Sequence, residues 1–369
     1  MIESPFTLVL SGGGMKGLAH IGVLRALEQR GLVPSLVVGT SMGSLVGATW
    51  ATGMSTAEMV ERARAIRKRD VFQIAHADMA LRRMRAPAVY RKEPLDLLLQ
   101  SLIGDLTFDD LKHPLLINTV DINSGSQVLW GRPGFRKVKV RDAVFASCAL
   151  PGILPPREVG GRYCVDGAVI DTLPVIAAAS EVLHPIVAVD VGGSRVIRHG
   201  IESSGFAGTY MRGLEIVMQS LTSRSLATWT EPSLVLIRPD VDTIPMFAFD
   251  HTDALLDEGY RAGVAVLDQL ASNGRFNGGG VYPRTTMQIS IDPARCVGCG
   301  ICIAMAPKVF RVGSSGKAEV IAPRQTWSPV DGAYVLHCPT YAINANAAER
   351  RSGKHHRRSG SSPALPDPS

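Results

Sequence analysis

Four short clusters of residues could do chemistry. Gly12-Gly13-Gly14-Met15-Lys16-Gly17 lies just after the apolar run Phe6 to Leu10, at a strand-to-helix junction. A glycine-rich turn there can point several backbone N–H groups at one spot, and it lacks the Cβ atoms that would hold a substrate away. Gly39-Thr40-Ser41-Met42-Gly43 has the Gly-x-Ser-x-Gly spacing that puts a serine on a sharp strand-to-helix bend, with Oγ projecting at the carboxyl end of a sheet. The two together supply an anion-binding loop and an exposed nucleophile, the halves of an acyl-transfer site. Tyr163-Cys164-Val165-Asp166-Gly167-Ala168 adds a short strand ending in an acid. It follows a proline-studded loop, Ala146 to Pro156. Far along the chain, Cys296, Cys299 and Cys302 form C-x₂-C-x₂-C, and Cys338 precedes Pro339.

On these residues the first three quarters of the chain resembles the patatin-like phospholipases. That family's motifs are a glycine-rich oxyanion loop with Lys or Arg, a Gly-x-Ser-x-Gly elbow, a Ser…Pro…Pro block and Asp-Gly-Gly/Ala, and all four occur here in family order. The resemblance implies a serine–aspartate dyad in which Ser41 attacks an ester carbonyl and Asp166 is its base. It also implies an oxyanion hole from the Gly12, Gly13, Gly14, Lys16 and Gly17 loop, with Gly13 and Gly14 supplying the amides, and an elbow framed by Gly39 and Gly43. Lys16 has two readings: positive charge beside the oxyanion or a lipid phosphate, or an exposed first-turn lysine.

The chemistry can be weighed on its own terms. A serine hydroxyl is a poor nucleophile until a base takes its proton. A free aspartate, with a pKa of about 3.9, is too acidic for that task unless its site raises it. Cys164, Val165, Gly167 and Ala168 give Asp166 an apolar setting that disfavours the carboxylate and pushes its pKa up. A Ser–His–Asp triad stays open, because the chain order allows His184, His199 or His251, although none stands in a marking motif. Gly12-x-Gly14-x-x-Gly17 also matches a dinucleotide fingerprint, but the second strand runs into Thr40-Ser41 where that reading needs an acid. Nor is the loop a Walker A sequence, since Gly17 is followed by Leu18-Ala19.

The segment from about Gln288 to Asn344 resembles a single-cluster ferredoxin of the bacterial type, in which a cysteine triplet and a distant Cys-Pro hold a cubane cluster. Two-cluster relatives carry a further Cys-Pro after the triplet, where this chain has Ala306-Pro307. The resemblance therefore implies one [4Fe–4S] cluster on Cys296, Cys299, Cys302 and Cys338, with a [3Fe–4S] form left open. Zinc is the competitor, but zinc ribbons use two separate C-x-x-C knuckles. Cys148 and Cys164 are left over and read as buried core thiols.

The elements that must position these groups alternate. Leu36 to Gly39, Leu115 to Val120, Pro185 to Val191 and Leu234 to Ile237 read as buried strands, with helical stretches at Leu18 to Gln29, Met42 to Ala51 and Ala254 to Ala271. This alternation predicts an α/β fold with a mainly parallel sheet and helices on both faces. The resemblances specify a patatin-like three-layer α/β/α domain and a small α+β ferredoxin-like domain. The expected division is a hydrolase domain over 1–272, a glycine-rich linker over 273–285, a ferredoxin-type domain over 286–346 and a disordered basic tail over 347–369.

The 369 residues carry a net charge of +6, and no apolar run approaches a membrane span. The N-terminus passes through Glu3 straight into the first strand and does not read as a signal peptide, so a cytoplasmic protein is expected. Arg62, Arg64, Arg67, Lys68, Arg69, Arg82, Arg83, Arg85, Arg91 and Lys92 crowd one segment with interleaved apolar residues. That pattern suggests a cap touching an anionic membrane at its inner face, against the alternative of a solvated helical face. The basic tail lacks aromatics and a binding motif, so no specific nucleic acid is expected.

Three function classes follow. The first is a serine acyl hydrolase acting on phospholipid or lysophospholipid esters, needing no cofactor for that chemistry. The second is an acyltransferase using the same acyl-enzyme. The third is a redox-sensing or electron-transfer protein, working with a redox partner, whose hydrolase-like domain is a scaffold. Ester hydrolysis moves no electrons, so the cluster's role is redox, sensing or structural, and its loss is expected to alter hydrolysis.

Overall fold

A computed structural model of the chain describes residues 5–75, 88–181, 183–192, 205–272 and 279–348. The chain divides into two compact units, Met1–Arg284 with Ser328–Asp331, and Thr285–Trp327 with Gly332–Ser369. The expected tail lies outside the described residues from 349 onward, as do 273–278 of the expected linker and 76–87 of the basic segment.

The larger unit is built on a nine-stranded sheet. Its parallel centre holds β1 (Thr7–Leu10), β2 (Leu36–Thr40), β3 (Leu115–Asp121), β7 (Ile186–Val189), β8 (Leu234–Ile237) and β9 (Val281–Tyr282), in the order β3-β2-β1-β7-β8-β9. β4 (Ser126–Trp130) and β6 (Arg162–Asp166) join β3 antiparallel, and β5 (Arg157–Val159) pairs antiparallel with β6. The strands are apolar runs because both faces are covered. Leu8, Leu10, Val37, Ile117, Val187 and Val189 face one apolar core, which includes Leu255, Leu256 and Leu267 of the helix Thr252–Ser272. Val9, Val38, Leu116, Ile186, Ala188 and Leu236 face a second, with Val175, Ala178 and Leu226. Period-two alternation along each strand thus serves two helical layers, and the sandwich has three layers.

Val281–Tyr282 was expected within the linker but is the edge strand of this sheet, pairing with Leu234 and Val235. Two residues are too few to signal a strand in sequence; the open edge of β8 recruits them. Among the described residues no helix is long and apolar enough to cross a membrane.

The smaller unit has a three-stranded antiparallel sheet, with β10 (Thr285–Ile291) between β13 (Arg324–Trp327) and β14 (Ile343–Ala347), and a hairpin of β11 (Phe310–Val312) with β12 (Ala318–Val320). Its core gathers Ile289, Val309, Phe310, Tyr334 and Ile343 around Cys302.

Candidate functional site

The glycine loop, which leads into helix α1 (Ala19–Glu28), and the elbow leave the carboxyl ends of adjacent parallel strands, β1 and β2, where α/β sheets bind ligands. Ser41 is the N-cap of helix α2 (Met42–Ala51) at φ 53°, ψ −126°. A non-glycine residue at positive φ is strained by about 1–3 kcal/mol and persists only if its surroundings fix it. Here they do. Ser41 N–H donates to Ser147 Oγ at 2.8 Å, and Ser41 C=O accepts from Ser44 Oγ at 2.6 Å and Ser44 N–H at 2.9 Å. Gly39 and Gly43 allow α2 to crowd the strand ends: a Cβ on Gly43 would lie 2.3 Å from Leu10 O, and one on Gly39 2.6 Å from Gly43 O.

The loop packs directly against the elbow. A Cβ on Gly17 would lie 2.4 Å from Met42 Cγ, and one on Gly12 3.3 Å from Ser41 Cβ. Gly12 N–H is taken by Thr172 O and Met15 N–H by Met246 O. Among the described residues the amides of Gly13 and Gly14, which line the pocket above Ser41, donate to no protein acceptor. Gly14 has φ 58°, and a Cβ there would meet Met246 O at 2.5 Å. The loop is anchored beneath by His20, whose Nε2–H donates to Ser11 O at 2.9 Å. Burial pushes His20 down to about 4, against the opposing effects of that bond and of Asp190, so the ring is neutral at pH 7. Lys16 is buried at 4% exposure, which removes its reading as an exposed lysine, and it is not in the pocket wall.

Asp166 ends β6 at 2% exposure. Burial pushes its carboxyl up to about 7, partly opposed by the Ala168 N–H, which donates to Oδ1 at 2.9 Å, and by the hydroxyl of Ser41. The structure therefore brings Ser41 and Asp166 together, and the carboxyl has a proton affinity suited to exchange near neutral pH. The pocket they share with Gly13 and Gly14 is walled by apolar side chains, among them Leu45, Phe72, Leu95, Leu154, Met218 and Phe247. Among the described residues no histidine lines it. His251 sits beside Asp250 just before the helix Thr252–Ser272, and His199 lies outside the described residues.

Two features were not foreseen. The segment Ser147–Cys148–Ala149 braces both halves of the pair: Ser147 Oγ accepts the Ser41 N–H and donates to Asn118 O at 2.7 Å, while Ala149 O accepts the Asp166 N–H at 3.0 Å. Cys148, expected as a buried core thiol, instead lines the pocket. Burial, then the Asp166 carboxylate, push its thiol far up, opposed by hydrogen bonds with Ser44 and Ser41, so it stays protonated. Ser147 and Cys148 close the helix Val140–Cys148, so the loop expected from Ala146 begins only after Cys148; the Ser-Cys pair ahead of the prolines was the available signal. Cys164, on β6 opposite Asp121 of β3, is buried and interacts with Thr119, outside the pocket wall.

In the smaller unit Cys296, Cys299, Cys302 and Cys338 line one cavity with Ile291, Ala318 and Ile343. Gly298 (φ 71°) and Gly300 (φ 75°) let the triplet turn tightly, and a Cβ on Gly298 would meet Gly316 O at 2.7 Å. Ala342 N–H donates to Cys338 Sγ at 3.3 Å. Burial raises the Cys338 thiol, but this bond and those from Thr340 and Ile343 outweigh it and hold the thiol below its ordinary value. Among the described residues no three such side chains meet at a point that would hold one ion. Four thiols spread around a cavity, with N–H donors to sulfur, fit the larger iron–sulfur cubane.

Residues 8–179 match the family described as patatin-like phospholipase, and residues 291–345 match the 4Fe-4S single cluster domain of ferredoxin I. An uncharacterized NTE family protein of Mycobacterium tuberculosis is 30% identical over 51% of this chain and 49% of its own length. The lysophospholipase NTE1 of Debaryomyces hansenii is 29% identical over 71% of this chain and 18% of its own. The neuropathy target esterase sws of Drosophila melanogaster is 25% identical over 73% of this chain and 20% of its own. The chain thus spans half or less of the length of each of these relatives.

Proposed function

We propose that this chain, which carries a patatin-like phospholipase domain followed by a single-cluster 4Fe-4S ferredoxin domain, hydrolyses carboxylic esters of phospholipids or lysophospholipids through Ser41 and Asp166. The observation that carries the reading is a strained serine beside a buried carboxyl whose pKa is about 7, at the base of an apolar pocket.

Asp166 takes the Ser41 proton as Oγ attacks the acyl carbonyl, and the C–O⁻ that forms is met by the Gly13 and Gly14 amides. Such fixed donors cost no reorganisation as charge develops, and losing one typically costs about 10²–10³ in turnover. Collapse breaks the ester C–O bond; Asp166 returns the proton to the leaving alcohol, and the acyl group stays on Ser41. Asp166 then takes a proton from water as the water oxygen attacks the acyl carbon; collapse breaks the acyl–Oγ bond, and Asp166 returns the proton to Ser41 Oγ as the fatty acid leaves. The acyl chain lies among Leu95, Leu154, Met218 and Phe247, where burial contributes about 0.8 kcal/mol per CH₂.

Cys296, Cys299, Cys302 and Cys338 would hold one cluster, which supplies one-electron exchange when bound. Fatty-acid release from a lipid panel, compared between anaerobically purified protein and Ser41→Ala, tests the hydrolase. Release that persists in Ser41→Ala refutes it. Transfer of acyl groups to an added alcohol in preference to water would replace it with the acyltransferase.

A further inference from the structure

A second groove opens beside the catalytic pocket, and Ile66 and Leu98 line both. Its apolar side is Ala65, Pro94, Leu97 and Leu102; its polar side is Arg62, Arg69, Asp70, Gln73 and Ser101. Of the carboxylates Glu58 and Asp70 on this stretch, only Asp70 lines the groove, and both already accept hydrogen bonds. Glu58 is bound by the Ser55 hydroxyl and amide, and Asp70 accepts the Arg67 amide at 2.8 Å, leaving a long 3.8 Å contact to Arg69. The groove therefore offers two guanidinium groups and the second N–H of Gln73, whose first is held by Arg69 O at 3.1 Å, while the Ser101 hydroxyl is held by Leu98 O. Arginine suits phosphate because its planar fork donates in pairs.

We propose that this groove is a headgroup subsite that takes the phosphate of a glycerol ester whose acyl carbonyl sits at Ser41. The proposal rests on the ester-hydrolase reading above and deepens it: the preferred substrate is phosphate-bearing, not a neutral glyceride. The joined walls give the physical reason. Ile66 and Leu98 stand in the walls of both spaces, so a phosphate held at Arg62 and Arg69 lies next to the pocket that holds Ser41 and the acyl chain.

The test uses monomeric substrates, so that attraction to a charged lipid surface plays no part: 1-octanoyl-glycerophosphoglycerol and 1-octanoylglycerol, with wild type and Arg62→Gln/Arg69→Gln. The expected result is a loss of about tenfold or more in kcat/KM, carried by KM, on the phosphate ester alone, shrinking as salt rises. Unchanged hydrolysis of the neutral ester shows that the variant is folded, and Arg62→Lys/Arg69→Lys is expected to recover part of the loss. Equal loss on both substrates, or none on either, overturns the proposal. Competition by inorganic phosphate as strong as that by the phosphate ester would assign the groove to a free anion and also overturn it. Binding of the same two compounds to Ser41→Ala is read separately, by calorimetry. If wild type hydrolyses neither ester, the reading beneath fails, while a preference of Ser41→Ala for the phosphate compound that depends on Arg62 and Arg69 would still uphold the subsite.

Discussion

Asp166→Asn should make the protein more stable above neutral pH while abolishing its activity. The Asp166 carboxyl is raised from 3.8 to about 7, chiefly by burial. Between those pH values the native state keeps a proton that the unfolded chain has released. Stability from this group is therefore fully present below about pH 3.8 and is lost as pH rises through about 7. The rise from 3.8 to about 7, at about 1.36 kcal/mol per tenfold change in proton affinity, makes the ionised carboxylate cost the folded state about 4 kcal/mol at pH 8. Asparagine keeps the shape and cannot ionise. The expected difference between Asp166→Asn and wild type is near zero at pH 4 and climbs toward about 4 kcal/mol at pH 8. Asp171, also raised to about 7 by burial, contributes the same slope to both proteins and cancels. The assay is urea unfolding at a series of pH values, followed by fluorescence of Trp50, Trp130 and Trp229 in a Trp327→Phe background. In parallel, wild-type kcat/KM should fall about tenfold per pH unit below 7, and Asp166→Asn should lose about 10²–10⁴ at every pH. If Asp166→Asn is less stable than wild type at pH 8, the carboxylate is stabilised by its partners and the argument from burial is wrong.

Ser147→Ala leaves the strained Ser41 amide without its acceptor, at a cost of about 1–3 kcal/mol; kcat should drop with KM little changed, and Ser147→Thr should restore it. Gly14→Ala puts a Cβ 2.5 Å from Met246 O on a residue at φ 58°, so a lower melting temperature and a kcat loss of about 10²-fold or more are expected. Cys338→Ala should lower iron from about four per chain toward zero, measured by iron and acid-labile sulfide content, whereas Cys148→Ala should leave it intact. A Cys296→Ser/Cys299→Ser variant should hydrolyse esters at a rate different from the holo-protein at matched folding; equal rates would mean that the two units act independently.

The local parts of the site were legible because each depends on a short, stereotyped backbone event. Gly-x-Ser-x-Gly encodes a bend that only glycines can frame, and the structure shows why: the Cβ positions at 39 and 43 are occupied by neighbouring backbone. Helix α2 runs over Met42–Ala51 and β8 over Leu234–Ile237, the same bounds that apolar patterning alone assigns. The rise of the Asp166 pKa could likewise be argued from its apolar neighbours, since burial acts on any carboxyl.

Tertiary structure decided what depends on distant partners. No pattern near residue 41 names Ser147 as the acceptor of its amide, none near residue 12 names His20 as the loop's anchor, and Cys148 looks like any core thiol until the chain carries it to Ser41 and Asp166. The strand Val281–Tyr282 exists because β8 offers it an edge, and the groove beside the pocket exists because the helix Glu93–Leu102 lies beside the remote stretch Arg62 to Gln73. Sequence determines which backbone shapes are cheap, through Cβ sterics and apolar periodicity. Hydrogen bonds and cavities between remote segments have no period and no local steric signature, so only the folded chain sets them.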